Sequence, residues 1–153
     1  MDKICSFTID HDILNPGLYI SRSDANVITY DIRTRRPNGG NYMSNAVMHT
    51  IEHMFATYVR NSSYADKVIY FGPMGCRTGF YFLMLDTVGP TEVISLVREA
   101  FDYIRNHTGN VPGAERKECG NYLEHDIQGA KEEAESMLTV LADYDESNMV
   151  YPK

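Results

Sequence analysis

Between Ser44 and Asn61 the residues Val47, Ile51, Met54, Phe55 and Tyr58 recur at helical spacing, and the same stretch carries His49-Thr50-Ile51-Glu52-His53. The apolar stripe predicts an amphipathic helix with Ser44 as its cap. That helix in turn fixes the two histidines. Residues four apart stand one above the other on one face, so both imidazoles can reach a single cation, with Glu52 in the same turn. This is the H-x-x-E-H order found among metalloenzymes. The ordinary alternative is two histidines that happen to share a helix face with a solvated glutamate between them. Histidine is scarce, five in the chain, yet two fall at ligand spacing beside a carboxylate.

Two histidines do not complete such a site, because a catalytic zinc-like centre takes three protein ligands and keeps one position open. Cys119, within Glu118-Cys119-Gly120, is the candidate third ligand. Thiolate binds borderline divalent metals well, and the glycine lets the backbone turn and leaves the sulfur accessible. Taken alone, such a cysteine is more often a buried thiol without a role. Cys76, within Pro73-Met74-Gly75-Cys76-Arg77-Thr78-Gly79-Phe80, falls on a tight loop leading into a strand, where a thiol can face a pocket. Arg77 beside it favours the thiolate, the form that moves protons. The plain alternative is packing at a strand start. Another is a fourth ligand closing a structural site of two histidines and two cysteines. The H-x-x-E-H order is also the signature of inverzincin-type metallopeptidases, which take a downstream glutamate as third ligand, and Glu115, Glu118 and Glu124 are available. Cys5 has no such context and reads as a core thiol.

The rest of the chain sets the frame. Asn26 to Thr34 mixes β-branched and aromatic residues in near alternation and reads as a strand; Arg35 to Asn41 breaks it with proline and two glycines. Lys67 to Phe71 and Thr78 to Leu85 are further strands with a short connection. A helix over Pro90 to Asn106 and another over Asp126 to Asp143 follow, the last burying Ala130, Ala134, Met137, Leu138 and Leu141. Paired strands between helices predict a single α+β domain over 1–153, an antiparallel sheet covered by helices on one face. A net charge of −7 argues against nucleic acid as a partner. The longest apolar run, Phe80 to Leu85, is too short to span a membrane, and the N-terminus has no signal-peptide layout. Three cysteines without dense spacing make no disulfide framework, so a reducing cytoplasm is expected. Glu132-Glu133-Glu135 and Asp143 to Glu146 read as solvated faces. His107 and His125 read as surface or capping histidines.

Five motifs occur in one order: Ser6-Phe7-Thr8-Ile9-Asp10-His11; Asp31-Ile32-Arg33; His49-Thr50-Ile51-Glu52-His53; Pro73-Met74-Gly75-Cys76-Arg77-Thr78-Gly79; and Cys119-Gly120 with Asp126 and Gly129-Ala130-Lys131. In that order they resemble the S-ribosylhomocysteine lyase (LuxS) family over nearly the whole chain. The resemblance implies a homodimer with active sites at the subunit interface. It implies cleavage of the thioether of S-ribosyl-L-homocysteine to L-homocysteine and 4,5-dihydroxy-2,3-pentanedione, the precursor of the quorum-sensing signal autoinducer 2. It implies one divalent metal per subunit, natively ferrous iron with zinc commonly in its place, held by His49, His53 and Cys119. Cys76 and Glu52 become the acid/base pair, and Ser6, His11 and Arg33 line the substrate pocket. Two positions depart from the family pattern: Tyr70 stands where an acidic residue is usual, and Thr29 where a lysine is usual. Both bear on substrate contacts, not on the metal or the acid/base pair.

That chemistry accounts for these residue types. Breaking a C–S bond at a sugar carbon needs an acidic proton next to it, so the carbonyl must first migrate along the ribose chain. Each migration removes a proton beside the carbonyl and returns one at the neighbouring carbon. The work suits a Lewis-acidic metal and two proton carriers, Cys76 and Glu52. After two shifts, loss of a neighbouring proton expels the homocysteine sulfur. Arg33 suits the carboxylate or other polar groups of the ligand.

Overall fold

The structure, a computed structural model, describes all of residues 1–153. Strands β1 (Gly17–Asp24), β2 (Val27–Arg33), β3 (Val68–Pro73) and β4 (Gly79–Leu85) form one antiparallel sheet in the spatial order β1-β2-β4-β3. Helices α1 (Asn45–Val59), α2 (Pro90–Asn106) and α3 (Ile127–Val140) complete the α+β fold. None is long and apolar enough to cross a membrane.

The helix boundaries follow local chemistry. Ser44 Oγ accepts from the Val47 N–H at 3.2 Å and so starts α1. Proline opens α2, where a missing N–H costs nothing. Asp126 caps α3 by accepting from the Gly129 N–H at 2.8 Å. Strand β1 was not expected. Only its first residues, Leu18 to Ile20, are apolar; the polar Ser21-Arg22-Ser23-Asp24 follows, with an irregularity in pairing between Ile20 and Arg22. A half-polar edge strand lacks the alternation that marks an inner one.

Alternation along the strands sends Leu18, Tyr30, Ile32, Phe80, Phe82 and Met84 into the core shared with the helices. Phe55 of α1 stacks on Phe71 at 4.0 Å and meets Phe82 and Phe101 at steep angles. Such pairs add about 0.5–1.5 kcal/mol each beyond burial. The opposite face is not open to water either. Asp31 and Arg33 point there, 0 % and 2 % exposed. Tyr151, from the C-terminal segment, stacks on Tyr19 and donates its hydroxyl to Asp31 at 2.8 Å. Gly79 lets β2 and β4 meet, since a Cβ there would lie 2.5 Å from the Ile32 carbonyl oxygen.

Two expectations need correction. Cys5 is exposed, in a short 3-10 turn (Cys5–Phe7) with no buried residue, so it is not a core thiol. Glu133 is not solvated: it is 3 % exposed and takes a forked pair of hydrogen bonds from Arg35, at 3.0 and 2.7 Å. A run of acidic residues does not reveal that one of them faces a guanidinium far away in the sequence.

Candidate metal centre

Helix α1 presents His49 and His53 toward the segment between α2 and α3, and backbone carbonyls from that segment set both rings. His49 Nδ1 lies 2.8 Å from the Glu124 oxygen, and His53 Nδ1 lies 2.9 Å from that of Pro112. A carbonyl oxygen only accepts, so each Nδ1 carries the proton and each Nε2 keeps a lone pair. Gly113 has φ +69°, and a Cβ there would come within 3.2 Å of His53 Nδ1, so glycine suits both the turn and the ring. Cys119 sits on a turn in which its N–H bonds to the Glu115 carbonyl at 3.0 Å, and its sulfur lies 3.3 Å from His49 Nε2.

The fourth member of the cluster is His125. Ligand atoms of His49, His53, Cys119 and His125 all lie within 4.8 Å of one another. The His125 ring stacks on His49 with centroids 4.1 Å apart. The Thr50 hydroxyl donates to the Ala46 carbonyl at 2.8 Å and receives the Asp126 N–H, so the 3.1 Å contact to His125 Nδ1 makes that nitrogen the donor. His125 Nε2 is then a buried lone pair with no hydrogen-bond partner in the chain. Burial first, then the nearness of His49 and His53, lowers its pKa below the usual histidine value. Imidazole nitrogens gathered around a sulfur fit a borderline divalent cation, and the carbonyls behind His49 and His53 are the support such ligands usually have. The sequence reading missed His125. It stands six positions after Cys119, a spacing no regular element predicts, and the scarcity of histidine is the only signal in the sequence.

The cluster includes neither Cys76 nor any glutamate. Glu115 pairs with Lys117 at 3.1 Å, and Glu124 accepts from Asn121. Glu52 is half-buried on α1. Cys76 lies on the β3–β4 hairpin, closed by Met74 N–H to the Gly79 carbonyl (2.9 Å) and Arg77 N–H to the Met74 carbonyl (3.0 Å). With His11, Asn38, Tyr42 and Thr78 it lines a cleft of about 180 Å³ that contains none of His49, His53, Glu52 or Cys119. Arg77 does not supply the neighbouring charge. Its φ of +61° turns it aside, and its guanidinium lies over Tyr42, 5.7 Å from the ring centre.

Arg33 faces the sulfur instead, its Nη1 3.9 Å from Cys76 Sγ and 2.7 Å from Thr78 Oγ1. Its Nε and Nη2 donate to Asp31 at 3.1 and 2.6 Å. Burial pulls Arg33 toward neutrality, but the Asp31 charge and hydrogen bonds outweigh it and raise its pKa. Ser6 lies apart from both groups, in a larger cleft with Thr29, Tyr70 and Tyr81. The two departures from the family pattern thus line one wall system with Ser6.

The chain matches the family described as S-Ribosylhomocysteinase (LuxS) over residues 4–148. Among curated proteins it is similar to an S-ribosylhomocysteine lyase of Borreliella afzelii (strain PKo), 48 % identical with 99 % of this chain and 100 % of the relative covered. Proteins of the same name from Desulfotalea psychrophila and Clostridium beijerinckii are 46 % and 45 % identical, with 99 % of each chain covered.

Proposed function

Because the chain belongs to the S-ribosylhomocysteinase (LuxS) family, we propose that it cleaves S-ribosyl-L-homocysteine to L-homocysteine and 4,5-dihydroxy-2,3-pentanedione. The whole of residues 1–153 would serve as one such unit. The observation that carries the reading is the convergence of Cys119 on His49 and His53, which stand on a helix that also bears Glu52. These three side chains hold one divalent metal, ferrous iron natively and zinc in its place, which supplies a Lewis acid for the sugar carbonyl. Cys76 takes the proton beside the carbonyl, and Glu52 exchanges protons at the neighbouring carbon, so that the carbonyl moves along the chain. A last proton removal expels the homocysteine sulfur. Three free cysteines suit a reducing cytoplasm.

The purified protein, loaded with ferrous iron or zinc, should release free thiol when incubated with S-ribosylhomocysteine. A metal-loaded protein that releases none sinks the assignment.

The functional protein is a homodimer whose sites take residues from both subunits. The separation of Cys76 and His11 from the metal cluster supports this, as do the exposed apolar Ile4, Phe7, Ile69 and Tyr70. On this reading two inactive variants complement each other. Mixing Cys76→Ala with Glu52→Gln under subunit exchange gives heterodimers with one intact site each, restoring about a quarter of wild-type turnover. If mixing restores nothing while exchange is verified, each site lies within one chain.

A further inference from the structure

Cys76 is on an exposed hairpin loop, yet its sulfur is held. Thr78 Oγ1 lies 3.0 Å from Cys76 Sγ and is itself contacted by Arg33 Nη1 at 2.7 Å. Arginine only donates, so the threonine oxygen accepts from Arg33 and its single hydrogen is free for another partner. The sulfur is the acceptor within reach. Arg33 Nη1 also approaches the sulfur, at 3.9 Å, and again can only donate. Arg33 is kept from turning away by two bonds to Asp31, at 3.1 and 2.6 Å, and Thr78 is 2 % exposed. Thr78 and Arg33 thus both offer a hydrogen to the sulfur, and both hold it as an acceptor. The Thr78 backbone adds rigidity: its carbonyl accepts the N–H groups of Thr34 and Arg35, both at 3.0 Å.

We propose that Thr78 is a positioning residue for the reaction, holding the Cys76 sulfur as a hydrogen-bond acceptor at the mouth of the His11 cleft. The proposal rests on Cys76 being the proton carrier, and its test keeps the two ideas apart. Alkylation of Cys76 by iodoacetamide, followed peptide by peptide to separate it from Cys5 and Cys119, reports the sulfur without any turnover. Thr78→Val should slow alkylation of Cys76 about tenfold or more at neutral pH and move its profile to higher pH, since a hydrogen bond to a charged group has that size. Thr78→Ser should restore both. Turnover should fall in kcat with little change in KM for the valine variant and recover in the serine variant. Should the valine variant fail to fold, Thr78→Ala carries the same test. An alkylation profile unchanged by loss of the hydroxyl overturns the placement of Thr78. A shifted profile with unchanged turnover overturns the role of Cys76 on which the proposal rests.

Discussion

Cys76→Ala and Glu52→Gln will each keep the metal and lose turnover by about a hundredfold to ten-thousandfold, the range expected for a positioned acid or base. On the proposed ligand set, His49→Ala, His53→Ala and Cys119→Ala will lose the metal itself, since a site with three protein ligands does not survive the loss of one. Metal content after gel filtration and thiol release on the same samples separate the two classes. On the proposed relay, in which they serve different carbons, the two acid/base variants should also stall differently, and a ketose intermediate should accumulate in one and not the other. His125 makes this comparison more demanding. Its bare, buried Nε2 is the one observation that favours a closed structural site with four protein ligands. On the three-ligand reading His125→Ala retains one equivalent of metal. Loss of the metal there, together with full activity in Cys76→Ala, would make the centre structural. Near-normal activity in Glu52→Gln would leave the proton relay needing another base, and His11, in the same cleft as Cys76, is the first candidate.

What the sequence made legible is what depends on neighbours in the chain. The apolar period and Ser44 located α1, and the proline at position 90 located the start of α2. The H-x-x-E-H spacing placed two imidazoles on one face because a helix leaves them nowhere else to be. Contacts between distant segments were not legible. His125 joins the cluster only because the chain ahead of α3 folds back to give its N–H to Thr50 and a carbonyl to His49. The cation near Cys76 was misread for the same reason. Adjacency suggested Arg77, but a left-handed turn removes it, and the pairing of Arg33 with Gly79 across the sheet supplies the charge instead. Glu133 hides in an acidic run for want of any local sign of Arg35.

Asp31→Ala will lower the folding free energy by about 3–5 kcal/mol, the usual result of removing one partner from a buried ion pair. Arg33 is 2 % exposed, and Asp31 takes two of its hydrogen bonds as well as the Tyr151 hydroxyl. Without the carboxylate a guanidinium stays charged between the sheet and the C-terminal segment and loses the partner of two of its hydrogen bonds. Against a total of about 5–15 kcal/mol for a natural domain, such a variant is marginal. Urea unfolding should show the midpoint falling with little change in slope. The informative comparison is Asp31→Leu combined with Arg33→Met. Replacing a buried pair by apolar residues of similar size is often neutral, and can stabilise by about 1–4 kcal/mol. The double variant should therefore regain most of the loss and yet turn over slowly, because the donor behind Thr78 and Cys76 is gone. That outcome would mean the pair is kept for the sulfur it orients and not for the stability of the sheet. A single variant within about 0.5 kcal/mol of wild type, the range of an ordinary surface substitution, would show that Arg33 finds water or another acceptor. The rigidity ascribed to it would then be absent.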